Sequence, residues 1–221
     1  NRDISGNVSQ LLGKLSSDPS VAVWVYNPNG ILVGSKAAIT TGSLVLSTLD
    51  VDERAFLSGS NRLDLSAAPN SRSAINVREG ASITVDGGTR GLVMVAPKID
   101  ANGSFEAVGQ GVAFVTASDV TLDYTNGSPL SVTLNRGTSV RGRSQYVRGN
   151  VAGTEAVFAL ASRDTITNSL LQVDADVTTA TIGSRGIVLS AGGTPPTGGA
   201  VTLGANAGDI GGRAGLTVSG A

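Results

Sequence analysis

From about residue 75 onward the chain repeats one kind of word, four to seven aliphatic-rich residues closed by Gly, Asn, Asp or Pro. Ala74-Ile75-Asn76-Val77, Ala81-Ser82-Ile83-Thr84-Val85, Gly91-Leu92-Val93-Met94-Val95-Ala96 and Gly111-Val112-Ala113-Phe114-Val115-Thr116-Ala117 are examples. Val120–Tyr124, Ser131–Leu134, Ala156–Ala161, Gly186–Ser190 and Ala200–Leu203 continue the series. The words opening at Gly91 and Gly111 stand 20 residues apart, and later ones fall at about one or two such periods. Several short strands per period, without helical spacing and with many glycines, predict an all-β chain folded as a parallel β-helix. Each coil of about 20 residues would advance the chain by about 4.8 Å, which predicts about ten coils.

The composition supports that reading. Hydrophobic residues make up 40% of the chain, yet aromatics only 4% and charged residues only 15%, against a usual charged fraction of about 25%. A narrow bore filled by stacked Val, Ile, Leu and Ala has little room for large rings. The 30 glycines, together with Asn, suit corners that need positive φ. The competing fold is a β-sandwich, whose hairpins would turn at Asp86-Gly87, Asn102-Gly103 and Asn126-Gly127.

Counting also removes chemistry. Without Cys or His there is no disulfide, thiolate nucleophile, imidazole base or ordinary zinc site. A net charge of -1 gives no general reason to bind nucleic acid. No apolar run approaches the ~18 residues of a membrane helix. No signal peptide opens the chain and Leu216–Gly220 ends it in a strand-like pattern, so it reads as a piece of a longer or processed chain.

The first segment is different. Val8, Leu11, Leu12 and Leu15 share a helical face, which predicts a short helix or turn capped by Ser5 or Asn7. A strand follows at Val21–Tyr26, then the turn Asn27-Pro28-Asn29-Gly30, then a strand at Ile31–Val33. In that turn Asn27 can bond its own backbone two residues on. Pro28 presets φ, and Asn29 and Gly30 tolerate left-handed geometry.

Asn1-Arg2, Ser9–Leu15, Val25-Tyr26-Asn27-Pro28-Asn29-Gly30-Ile31-Leu32-Val33-Gly34, Gly42–Val51 and Phe56-Leu57-Ser58-Gly59, in that order, resemble the secretion domain of the filamentous haemagglutinin family. These are large exoproteins of bacterial two-partner secretion. The resemblance is specific over residues 1–59 and generic over the later rungs. It implies a right-handed β-helix with extra-helical loops, residues 1–74 forming the secretion-domain core and 75–221 the continuing coils. The implied partner is an outer-membrane barrel transporter whose periplasmic domains recognise the unfolded chain. Asn27, Pro28, Asn29, Gly30 and Ile31 inherit a role in secretion or folding. The family's upstream cap and Asn-Pro-Asn-Leu turn have no counterpart here. That end is expected to be processed, to lie outside this chain, or to be covered by another subunit.

Other clusters are weighed against simpler roles. Asp50, Asp52 and Glu53 are the densest acids, and alternation on a strand would put Asp50 and Asp52 on one face, as a calcium site or an acid–base pair for polysaccharide cleavage would need. A solvated strand edge is the simpler account, and Asp174 with Asp176 reads as surface. Arg141, Arg143, Tyr146 and Arg148, with Arg136 nearby, form a candidate polyanion-binding loop for sulfated or phosphorylated glycans. The stretch from Ser60 to Ser73, with Arg62 and Arg72, reads as an extra-helical loop, and Gly192–Gly199 as a corner loop. The expectation is a non-enzymatic, secreted or cell-surface adhesin or fibre, without cofactor or metal. It would bind host or bacterial glycans and self-associate end to end into filaments. A β-helix polysaccharide lyase or hydrolase is the alternative.

Overall fold

The computed structural model describes residues 2, 5–125, 131–163 and 169–179, and the backbone of strands at 187–192, 200–203 and 216–220. The expected turn at Asn126-Gly127 and most of the Gly192–Gly199 loop lie outside the described residues.

The strands run β1 (Ser9–Leu11), β2 (Lys14–Ser16), β3 (Ala22–Tyr26), β4 (Ile31–Val33), β5 (Ala38–Thr41), β6 (Ser43–Ser47) and β7 (Asp50–Val51). A five-residue helix, α1 (Glu53–Leu57), precedes β8 (Arg62–Ser66), β9 (Ala74–Asp86), β10 (Leu92–Ala96), β11 (Lys98–Val108) and β12 (Val112–Thr116). Then come β13 (Asp119–Asp123), β14 (Ser131–Arg136), β15 (Gly142–Gly153), β16 (Ala156–Ala161) and β17 (Ser169–Thr179). The last are β18 (Ile187–Gly192), β19 (Ala200–Leu203) and β20 (Leu216–Gly220).

One parallel sheet has the order β1-β4-β9-β11-β15-β17-β19, with β5 also on β9 and β2 on β5. A second parallel sheet has the order β3-β6-β10-β12-β16-β18-β20. The chain is nearly all β with two wholly parallel sheets, an arrangement compatible with the expected β-helix. Asn102-Gly103 lies inside β11 and Asp86-Gly87 leads from one parallel sheet to the other, so neither makes a sandwich hairpin.

The register shows how regular the spacing is. Ala22 faces Ser43, 21 residues on, and Leu92 faces Val112, 20 on. Leu44 faces Leu92 and Val112 faces Ala156, which are 48 and 44 residues on. The second sheet therefore has seven strands where even spacing predicts about ten. The extra length goes largely into a third, antiparallel sheet, β7-β8-β13-β14. The stretch from Ser60 to Ser73, expected as a loop, supplies β8 to this sheet, where Leu63 and Leu65 are wholly buried.

Two apolar layers explain the strand sequences. Between the parallel sheets, Leu46, Met94, Phe114 and Phe158 form one register column, and Ile31, Ile75 and Ile99 another. Outside the second sheet, Val45, Val93, Ala113 and Val157 pack with Trp24, Leu63, Leu65, Val120 and Leu122. Strands β6, β10, β12 and β16 are thus buried on both faces and read as continuous apolar runs. Strands β9 and β11 alternate because their outer face meets solvent.

The predicted N-terminal helix is replaced by β1 and β2. Ser9 pairs with Ile31 and Lys14 with Ala38, so ladder bonds to existing strands prevail over the 3.6-residue spacing. Leu11 and Leu15 pack against the core while Val8 and Leu12 stay exposed, which the helical face would not do. Positive φ belongs to nine glycines and one other residue, Asn70, among the described residues, so asparagine seldom serves the corners this way.

Candidate functional site

The turn after β3 is organised around one buried amide. Asn27 is wholly buried, and its N–H donates to Ser47 O at 3.1 Å. Gly30 N–H donates to Asn27 O at 3.1 Å and closes the turn. The Asn27 side chain fills its hydrogen-bonding capacity: Oδ1 accepts from Asn29 N (2.8 Å) and Asn29 Nδ2 (3.1 Å). Nδ2 donates to Asn7 O (2.8 Å) and Ser9 Oγ (2.9 Å). These two bonds fasten the first segment onto the turn.

The remaining turn residues have separate tasks. Pro28 occupies the first central position, where its fixed φ suits the bend. Gly30 has φ 123°, and a Cβ there would lie 3.1 Å from Ala74 O. Asn29 keeps a negative φ, so the left-handed tolerance expected of it is not used. Gly30 O accepts Ser9 N–H at 3.1 Å, and Ile31, wholly buried, pairs with Ser9 on one side and Ile75 on the other. The five residues thus join β3 of one parallel sheet to β1, β4 and β9 of the other.

A family model described as the TPS secretion domain matches residues 1–211. The chain belongs to the TPS secretion domain family. No curated protein matches it. Membership makes the chain part of a two-partner secreted exoprotein, exported with a partner transporter in the outer membrane.

Within this TPS secretion domain the acid cluster has structural work. Asp50 pairs with Arg2 at 2.8 Å, and Glu53 lies 4.0 Å from the same guanidinium. The strand carrying Asp50 stops at Val51, and Asp52 caps α1 by accepting Ala55 N–H at 2.8 Å. The expected alternation of Asp50 and Asp52 on one strand face does not occur. Asp50 and Glu53 line a cleft of about 190 Å³ together with Arg2, Trp24, Tyr26 and Phe56. Trp24 and Phe56 meet edge to face at 5.1 Å. No group of three or more acids that could hold a metal occurs among the described residues.

The arginine run from 141 to 148 lies mostly on a strand rather than on the loop expected of it. Only Arg141 precedes β15; Arg143, Tyr146 and Arg148 are within it. An irregularity between Arg143 and Gln145 puts Ser144 out of step, which brings Arg143 onto the ring side. The Arg143 and Arg148 guanidinium carbons lie 3.9 and 4.4 Å from the Tyr146 ring centroid. Arg148 also pairs with Asp100 at 2.9 Å. Tyr146 O–H donates to Asp174 Oδ2 at 2.9 Å, and Gln172 Nε2 donates to the same oxygen at 2.9 Å. Burial, then the bond to Asp174, pushes the Tyr146 phenol above its ordinary value. Asp174 is therefore an acceptor in a network, while Asp176 is exposed as expected. Arg136 stands apart, donating to Ala67 O and Ser118 O.

Sequence reasoning missed the partners of these groups. Asn7 reads as a helix cap and Ser9 as part of a helical stretch, while Asn76 sits in a strand word and Asp100 and Asn102 in a stretch that looks like loop chemistry. Their one signal is outward position on alternating strands, visible only after β11 and β15 are recognised as strands.

Proposed function

We propose that this domain is the export and folding module of a β-helical adhesin or fibre. It would pass the outer membrane unfolded and coil outside the cell as a right-handed parallel β-helix. Residues 1–74 would hold the turn and first coils, and 75–221 would continue them. The observation that carries this reading is the Asn27 amide, which ties the first segment, β3, β4 and the turn into one unit. A turn so placed can serve the transporter as an extended signal and then start the first coil. Absence of Cys suits threading, because no disulfide can form before export.

The scaffold reading is non-enzymatic, with no cofactor. It is supported by the employment of Asp50 in an ion pair and Asp52 in a helix cap. Outward polar rungs such as those of β11 and β15 would face glycans of the host or of other bacteria at the cell surface. Among the described strands β1 pairs with β4 and β3 with β6, with a single bridge from Arg2 onto Tyr26 on the far side of β3, and edges so lightly covered suit end-to-end association into filaments. The test is export from a cell carrying the partner transporter. Asn27→Ala with Asn29→Ala should lower the secreted fraction, while Arg141→Ala should not. Export unchanged by the paired substitution would reduce the turn to a structural corner. Electron microscopy showing only monomers at high concentration would remove the filament.

A further inference from the structure

The outer face of the first parallel sheet carries a cleft of about 240 Å³. Its origin is a local irregularity. Ala101 faces Val77, but Gly103 faces Ala81, so three residues of β9 (Arg78, Glu79 and Gly80) stand opposite the single Asn102 of β11. The surplus residues bulge from the sheet, and Gly80 turns there with φ 88°. Arg78 and Glu79 of the bulge line the cleft together with Asn76, Asp100, Asn102 and Arg148.

The polar groups are mixed and pre-positioned. Arg148 is held by Asp100 at 2.9 Å and by its stack on Tyr146. Its Nε is buried without a hydrogen-bond partner. Two arginines and two carboxylates line the cleft, so its charge sums to zero. An anion would meet Glu79 and Asp100, a cation would meet Arg78 and Arg148, and an apolar group would find no exposed aliphatic side chain, since Val77 is buried in the core. A ligand whose groups both donate and accept fits all six polar side chains. The volume equals about eight waters at about 30 Å³ each, room for one sugar ring.

We propose that this cleft binds an uncharged saccharide unit of a glycan, with Asn76, Asp100, Asn102 and Arg148 as its hydrogen-bonding partners. Arg143 and Tyr146 act as positioning residues for Arg148. The proposal rests on the reading of the domain as a glycan-facing exoprotein and names the ligand class as neutral, in contrast to the sulfated class suggested by an arginine run. Because the test uses purified protein, its failure is separate from any failure of export.

The experiment presents the protein with tetrasaccharides of glucose, mannose, galactose and N-acetylglucosamine, and with a heparin tetrasaccharide. Binding is followed by saturation-transfer NMR and calorimetry at physiological and at about 0.5 M salt. At least one neutral tetramer should bind, equally at both salt concentrations. The double variant Asn76→Ala/Asn102→Ala should weaken it tenfold or more. Side-chain amide signals of Asn76 and Asn102 in the unmodified protein should shift during the titration, an arm that does not depend on the variant folding. No neutral binding up to about 10 mM, salt-sensitive binding of heparin alone, static amide signals, or a folded double variant with unchanged affinity would each overturn the proposal.

Discussion

Replacing Asn27 by Ala tests the organisation of the turn most directly. The substitution deletes two bonds donated by Nδ2, to Asn7 O and Ser9 Oγ, and two accepted by Oδ1 from Asn29. A typical intramolecular hydrogen bond contributes about 1 kcal/mol net. Asn7 and Asn29 are exposed and can turn to water, which offsets part of the loss. The expected cost is about 2–3 kcal/mol. Trp24, the single tryptophan, lies three residues away on β3 and reports unfolding of this region by fluorescence. With a urea slope of about 2–3 kcal/mol/M, the midpoint should fall by about 1 M. Asn27→Asp separates the two halves of the network. It keeps an acceptor for Asn29 N–H but turns a buried, charged oxygen toward Asn7 O, so at neutral pH it should be at least as damaging as Ala. A midpoint unchanged in Asn27→Ala, or a fully stable Asn27→Asp, would refute the claim that Nδ2 fastens the first segment.

Gly30→Ala must place a Cβ at φ 123° and 3.1 Å from Ala74 O, so it should cost about 1–3 kcal/mol in the same urea assay. Phe114→Ala removes a wholly buried ring that meets Phe105 edge to face at 5.2 Å and stacks on Phe158 at 5.5 Å, and should lose about 3–5 kcal/mol by urea unfolding. All three tyrosines, Tyr26, Tyr124 and Tyr146, have phenols pushed above the ordinary value, burial being the first cause in each. The folded chain keeps these protons where the unfolded chain releases them. Their contribution is therefore present below about pH 10 and lost as the pH rises from there through the folded values. Ultraviolet titration should show all three phenols half-ionising above that ordinary value, and one tyrosine ionising normally would contradict the assignment.

Legibility followed burial. Strands β10, β12 and β16 were readable because both of their faces are covered, so Leu92–Ala96, Val112–Thr116 and Ala156–Ala161 are unbroken apolar words. Their pairing in parallel was also implied, by the 20-residue step from Leu92 to Val112. Strands β11 and β15 escaped because Asp100, Asn102, Arg143 and Arg148 on their outer faces resemble loop chemistry. The antiparallel sheet escaped for another reason. Arg62–Ser66 alternates as a strand should, but its partner Asp119–Asp123 is more than fifty residues away, and no local pattern announces such a contact. The turn at 27–31 was legible as a turn. Its grip on Asn7 and Ser9 was not, since a helical spacing of Val8, Leu11, Leu12 and Leu15 pointed the first segment elsewhere.

This topology bears on the proposed folding outside the cell. In the parallel sheets each new strand pairs with one already in place, so growth can proceed from the N-terminal coils without waiting for distant chain. The antiparallel sheet breaks that rule. Leu63 pairs with Leu122 and Leu65 with Val120, so the cover over Val45 and Val93 is complete only after β13 has emerged. Until then the outer faces of β6 and β10 would stand open to water. The first coils must therefore be held by something other than that outer layer. The Asn27 network, the Ile31–Ile75 column and the Arg2–Asp50 pair all lie within the first 75 residues and can close first. A secretion domain that begins to fold while most of its chain is still being delivered would need ties that close within its first coils, and the Asn27 network is such a tie.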